Sequence, residues 1–296
     1  MPRIKQSRQE IIERIKAGMG QSRSDIAAIV IFGSFAKDGD YHDIDLLVAV
    51  ETIDTPALDR KGEIQAIRRA VGLPLPLDVL LLSKEECCDN FQAHLPLFLD
   101  IAFDGYVVHD EGFFQPLMEA TKSYVEERGI QRTETGGWRF PVAHRRSTPL
   151  SALENRDWAH IWLNDAKQDM AAAINLFEAG IFDKCVTHCQ QTTEKVIKTA
   201  LACFGRLEKS HYVSDILESE IKAQDLGEWE DKLVKLTVWA RDLEPDATLS
   251  RYPGMFRGRL WIPHDQYDEA RAKKALRKAR QVLDIGRAFV DWWFEG

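Results

Sequence analysis

Residues 33–48, GSFAKDGDYHDIDLLV, carry the residue types that phosphoryl chemistry uses. Asp43 and Asp45 stand one residue apart at the head of an apolar strand. Strand alternation therefore sends both carboxylates to one face and Ile44, Leu46 and Val48 to the other. Two carboxylates about 4 Å apart repel by roughly 4 kcal/mol at an effective dielectric near 20, so both stay charged only beside a compensating cation. An all-oxygen donor set suits Mg²⁺ or Mn²⁺. Gly33 permits the close backbone approach of a phosphate-cradling turn, and Ser34 is placed to cap a following helix whose free N–H groups would face an anion. Lys37, within one helical turn of Ser34, could neutralise a phosphate oxygen. A third acid, Asp78, interrupts the apolar run LPLDVLLL of residues 75–82, where burial would demand a partner. If that strand lies beside DIDLLVAV, Asp78 completes a three-carboxylate cluster for two divalent ions about 3.5–4 Å apart, an arrangement suited to in-line displacement. Asp38, Asp40 and His42 are read as loop residues.

The flanking pattern supplies elements to position these groups. It predicts a helix near 5–18 with Ile4, Ile11, Ile12 and Ile15 on its apolar side, a strand over 26–32, a short helix after Ser34, and a strand over 44–50. A helix over 56–71 and a strand over 77–82 follow, and Ser83 with Glu86 forms a capping box for the next helix. A strand near 106–108 and a helix from about 112 to 128 complete a small mixed α/β domain over residues 1–128. Residues 129–155 contain Gly136, Gly137, Pro141 and Pro149 without periodicity and read as a linker, with Trp138 and Phe140 docking it. Arg132, Arg139, Arg145 and Arg146 make the same stretch basic enough to reach a base or a triphosphate.

From residue 156 to 296 the chain reads as an all-α bundle. Two long amphipathic helices end at Gly180 and Gly205, helices near 212–221 and 228–242 follow, and Asp265 is placed to cap a last helix running to about 293. That helix has a basic face at Lys273, Lys274, Arg277 and Arg280, and its apolar tail of Phe289, Trp292, Trp293 and Phe294 reads as an interface.

Composition narrows the function. The 296 residues are 45% hydrophobic and 29% charged, which suits two folded domains, and the net charge of −8 disfavours nonspecific nucleic-acid or anionic-membrane binding. No apolar run reaches membrane length, and the charged N-terminus suits an amphipathic helix better than a signal peptide, so a cytoplasmic protein is expected. Five cysteines without a CxxC pair give no disulfide framework. Cys185, His188 and Cys189 share a helical face but lack a second half-site for zinc, so the thiols are read as buried.

The order GS, eight residues, D-x-D, then a later strand Asp resembles the polymerase beta type nucleotidyltransferase superfamily in its minimal branch, over roughly residues 10–125. The resemblance implies that Gly33, Ser34 and Lys37 hold the triphosphate, that Asp43, Asp45 and Asp78 ligate Mg²⁺ or Mn²⁺, and that Asp78 helps deprotonate an acceptor. The spacer is short for that family, and Lys37 replaces the planar fork of an arginine with a point charge. The second half, with HCQQTTEKVIK, KSHYVSDIL and SRYPG, resembles the HEPN domain over about 157–293. That resemblance implies an antiparallel helical bundle that forms a homodimer. Some members are metal-independent ribonucleases with Arg-x4-6-His. Arg206 and His211 have that spacing, followed at once by Tyr212, but lie earlier than the family's motif, so His211 is read as a helix-entry or packing residue and Arg251 as a turn anchor or groove residue.

The expected function is transfer of a nucleoside monophosphate from ATP or another NTP to an acceptor hydroxyl on a small molecule, protein or RNA, with pyrophosphate release. The alternatives are a toxin–antitoxin module whose helical half binds or cleaves RNA, and a noncatalytic nucleotide sensor.

Overall fold

The computed structural model describes residues 7–37 and 40–295. Ile4 and Asp38 lie outside them. The chain divides into two units, residues 1–128 and 129–296.

Four short runs rich in Ile, Val, Leu and Ala make the sheet of the first unit. In chain order its elements are α1 (Arg8–Ser22), β1 (Ile26–Phe32), α2 (Gly33–Ala36), β2 (Ile44–Val50), α3 (Lys61–Val71), β3 (Leu77–Ser83), α4 (Lys84–Gln92), α5 (Pro96–Asp104), β4 (Tyr106–Asp110) and α6 (Phe114–Glu127). The sheet order is β3-β2-β1-β4, with β2 antiparallel to β1 and parallel to β3. A parallel pair needs a crossover, and α3 supplies it. Alternation along β1 and β2 divides the core into two layers. Ile29, Ile31, Ile44, Leu46 and Val48 pack with Ile11, Ile15, Ile67 and Val71 of α1 and α3. Ala28, Val30, Leu47 and Ala49 pack with Phe91, Phe98, Ile101 and Phe114 of α4, α5 and α6.

The expected strands at 26–32 and 44–50 have those bounds, and the Ser83–Glu86 capping box forms. The expected helix at 56–71 is instead a 3-10 turn, Ala57–Asp59, followed by α3. Helix α5 has no counterpart in the sequence reading because LPLFLDIAF is apolar on nearly every side; Pro96 at its first turn starts it.

The second unit contains β5 (Gln131–Arg132), β6 (Trp138–Arg139), α7 (Asn155–Glu178), α8 (Phe182–Cys203), β7 (Arg206–Leu207), α9 (Ser214–Ala223) and α10 (Trp229–Arg241). It continues with α11 (Asp246–Leu249), β8 (Gly254–Phe256), β9 (Arg259–Trp261), α12 (Pro263–Gln266) and α13 (Glu269–Phe294). Helices α7 and α8 form a hairpin whose turn needs Gly180 at φ +75°, and α13 packs on both. Three expectations change here. Residues 129–155 are part of this unit rather than a linker: β6 pairs with both β5 and β7, and Trp138, Phe140 and Leu150 are buried. Asp268, not Asp265, caps α13, accepting from the Arg271 amide, because α12 already holds Asp265. Of the aromatic tail, Phe289 and Trp293 are fully buried against Phe204 and Trp229, so they form core instead of an interface. The basic residues Lys273, Lys274, Arg277 and Arg280 are exposed as expected. No helix among the described residues is long and apolar enough to cross a membrane.

A buried arginine ties the crossover to the far side of the sheet. Arg60 is 4% exposed, bonds both oxygens of Glu86 at 2.6 and 2.8 Å, and donates to the carbonyls of Thr55 and Leu81. The Arg60 guanidinium holds the Glu86 carboxyl below its ordinary range. A depressed carboxyl contributes stability that is complete above the unfolded-state pKa and is lost as pH falls through the folded one. Arg60→Ala is expected to cost about 2–4 kcal/mol at neutral pH. Denaturant titration should show the difference from wild type shrinking as Glu86 is protonated.

Candidate active site

The ends of β1, β2 and β3 meet at the carboxylates. Asp45 lies opposite Phe32 on β1 and opposite Asp78 on β3. Asp45 and Asp78 share the face of Leu47 and Leu82, on the side of α4, α5 and α6, while Ile44, Leu46 and Val48 face α1 and α3. The turn after β1 closes over this pair. Gly33 has φ +71°, and a Cβ placed on it would stand 2.0 Å from Oδ2 of Asp45. Any side chain there would have to push that carboxylate aside as well as adopt a left-handed backbone.

Burial, then the charge of Asp43, then the charge of Asp78 raise the Asp45 pKa. The charges of Asp43 and Asp78 therefore reach Asp45, but the three acids are not equivalent. Asp43 and Asp45 are half-buried, whereas the Asp78 side chain is 65% exposed and pairs with Arg68 at 3.0 Å. The expected burial of Asp78 is thus corrected: β3 is an edge strand, and Asp78 sits at its open end. Among the described residues no three His, Cys, Asp or Glu side chains are gathered tightly enough to hold a metal ion. The donor chemistry of Asp43 and Asp45 still fits a hard divalent cation, since both offer only oxygen and a cation would offset the burial and the repulsion that raise Asp45. Asp78 would join them by exchanging Arg68 for the ion.

The anion-binding residues are placed less directly. Helix α2 has Phe32 at its N-cap and no side-chain cap, so exposed Ser34 sits inside the turn and does not cap it. Lys37 ends that turn and pairs with Asp104 at 2.9 Å. Asp40 and His42 are loop residues. Sequence reasoning missed two arginines here. Arg8 donates to the Ala36 carbonyl at 3.1 Å and covers the Phe35 ring. Arg68 donates to both Asp78 and the Leu77 carbonyl. Its signal was available, because the last turn of a crossover helix must pass the start of the strand it feeds. A cavity of about 280 Å³ opens beside Asp78, walled by Arg68, Leu73, Leu75, Pro76 and Leu77.

In the second unit Arg206 is committed to Glu208 and Glu220, while His211 is largely exposed with Nδ1 3.0 Å from Glu194. Arg251 stands within reach of Gln191, and its Nε is buried without a partner. Cys185 and Cys189 are buried thiols, and His188 bonds Asp169 at 2.8 Å.

Comparison with known proteins identifies the second unit. The chain belongs to the HEPN domain family: the family model matches residues 159–288, and a "putative toxin" of Methanocaldococcus jannaschii is 30% identical over 139 residues, 46% of this chain and 90% of that relative. Among solved structures, a nucleotidyltransferase-like protein from Exiguobacterium sibiricum matches 91% of this chain and 74% of its own at 11% identity and a TM-score of 0.39. A tri-AMPylated HEPN toxin of Shewanella oneidensis in complex with an MNT antitoxin matches 42% of this chain and 93% of its own at 18% identity and a TM-score of 0.28. Likenesses this loose carry no argument about chemistry.

Two substitutions probe the site. Gly33→Ala should cost about 1–3 kcal/mol through its left-handed backbone and should displace Asp45, visible by denaturant titration. Asp45→Asn should raise the metal-free melting temperature at neutral pH by about 1–3 °C. The sign follows from the raised carboxyl: wild-type stability declines as pH climbs through its folded pKa, and the amide removes that decline. Thermal scans without and with Mg²⁺ should show the ion stabilising wild type and not the variant.

Proposed function

We propose that the first unit is a divalent-metal-dependent nucleotidyltransferase that moves a nucleoside monophosphate, adenylyl in the first instance, from an NTP to an acceptor hydroxyl. The observation that carries this reading is Asp45: a half-buried carboxylate pressed on Gly33, raised by burial and then by two neighbouring acids, and with no cation paired to it among the described residues. Asp43 and Asp45 hold the metal. When bound, divalent ions neutralise the triphosphate and the charge that builds on the attacking and leaving oxygens. Gly33 lets the backbone approach the β and γ phosphates, and Ser34 and Lys37 contact their oxygens, Lys37 after leaving Asp104. Asp78, freed from Arg68, accepts the proton of the acceptor hydroxyl, and the cavity beside it, walled by Arg68 and by Leu73, Leu75, Pro76 and Leu77, receives the acceptor. The helical unit recruits the acceptor and forms a homodimer.

Incubating the protein with labelled ATP, Mg²⁺ and cell extract should label one acceptor and release pyrophosphate. Both signals should vanish in Asp43→Asn with Asp45→Asn. Asp78→Asn should retain nucleotide binding while turnover falls by about 10²–10⁴-fold. Pyrophosphate release that persists in the double variant refutes the reading. ATP binding without product from any acceptor leaves a nucleotide sensor.

A second reading concerns the HEPN unit, favoured by its 30% identity to the "putative toxin". In it this chain is a toxin–antitoxin module whose helical half acts on RNA, with the His211 imidazole, oriented by Glu194, as acid or base. RNA cleavage in EDTA that survives Asp43→Asn with Asp45→Asn and fails in His211→Ala would establish it.

A further inference from the structure

The second unit contains a cavity of about 310 Å³. It is distinct from the carboxylate site, which belongs to the first unit. Its lining includes the buried rings of Phe140, Phe204 and Trp293. The Gln131 and Gln224 carboxamides also line it, with Arg139, whose guanidinium bonds Glu220. One observation marks it as a built site. Trp293 is fully buried, yet its indole Nε1–H, an obligatory donor, has no acceptor. A buried donor without a partner is costly, and a ligand acceptor is what would satisfy it. Gln131 is exposed and Gln224 half-buried at its edge, and neither side chain is tied to another residue by a hydrogen bond among the described residues, so both carboxamides can turn toward a ligand.

We propose that this cavity binds a purine nucleoside, with adenosine as the best fit. The volume is at the lower end of the range of small-ligand pockets, about 300–1,000 Å³. Aromatic walls accept a flat ring through its faces and edges. A glutamine carboxamide matches the adjacent donor and acceptor of an adenine edge, as it does in nucleic-acid recognition. The indole N–H supplies one further contact to a ring nitrogen or ribose oxygen. Arg139 is already neutralised by Glu220, so the cavity offers no free charge for a triphosphate, and this selects the nucleoside over the NTP. Gln131, Arg139, Phe140 and Trp293 all fall outside residues 159–288, so the pocket is an addition to the matched family core.

The test is calorimetric titration of the full-length protein with adenosine in EDTA, together with the ¹⁵N spectrum of the indole N–H groups. Adenosine should bind at sub-millimolar concentration, more tightly than cytidine or benzoate, and should shift one indole signal, the one missing in Trp293→Phe. Trp293→Phe keeps the ring and removes the donor, and should weaken binding roughly tenfold. Gln224→Leu and Gln131→Leu lie toward the rim, spare the core, and should each weaken it by a similar factor. If Trp293→Phe fails to fold, the two rim variants decide alone. Absence of binding at millimolar adenosine overturns the proposal. So does binding that the variants leave unchanged, or benzoate binding as tight as adenosine.

Discussion

The placement of β2 between an antiparallel and a parallel neighbour is the constraint on which the rest of the first unit depends. Its register sets Asp45 across from Phe32 on one side and Asp78 on the other. A slip of one residue would turn Asp45 into the α1 and α3 core and bring Leu46 or Ile44 to the open face. That alternation is held by apolar residues on both sides of the strand, so the packing of two layers enforces the position of one carboxylate. Gly33 then follows, since any side chain there would collide with Asp45.

Charge compensation elsewhere in the chain makes this site stand apart. Glu86 is matched by Arg60, Glu194 by Lys198, Asp169 by Lys195, and Glu220 by Arg139 and Arg206. Burial alone would push the Glu220 carboxyl up, yet its two arginines hold it down. Asp45 shows the opposite balance: burial raises it, and its charged neighbours raise it further. Folding thus leaves at Asp45 a tension that ion pairs relieve at these four carboxylates, and uncompensated acids of this kind cluster at functional sites.

Much of this arrangement was legible in the chain, and what was not has local causes. The continuous apolar runs IAAIVIF and IDLLVAV gave both strands their ends, because a strand buried on both faces stops where polar residues and Gly33 begin. The capping box at Ser83 is a side-chain code of four residues and reads equally well. Asp78 was placed on the correct strand, but its exposure depends on β3 being an edge, a property of sheet order and not of the run LPLDVLLL. Its partner Arg68 was missed although it stands in the last turn of α3, the helix that leads into β3. Two-residue strands such as β5, β6 and β7 leave no periodic trace, so residues 129–155 look structureless until β7 is seen beside them. The aromatic tail of α13 announced burial correctly, but hydrophobicity does not say which surface covers it.

That tail and the strap of residues 129–150 have a consequence for modularity. Arg145 donates to the Trp292 carbonyl and lies over its ring, Trp138 pairs with Leu207, and Phe140 bonds the backbone at Gly205. The helical bundle is therefore laced shut by a ribbon that precedes its family match. A gene rearrangement cutting at that boundary would deliver a bundle with a raw aromatic trench, prone to aggregation and recoverable only if the recipient chain brought a substitute cover. The natural unit of exchange is the bundle with its ribbon, beginning near the end of α6.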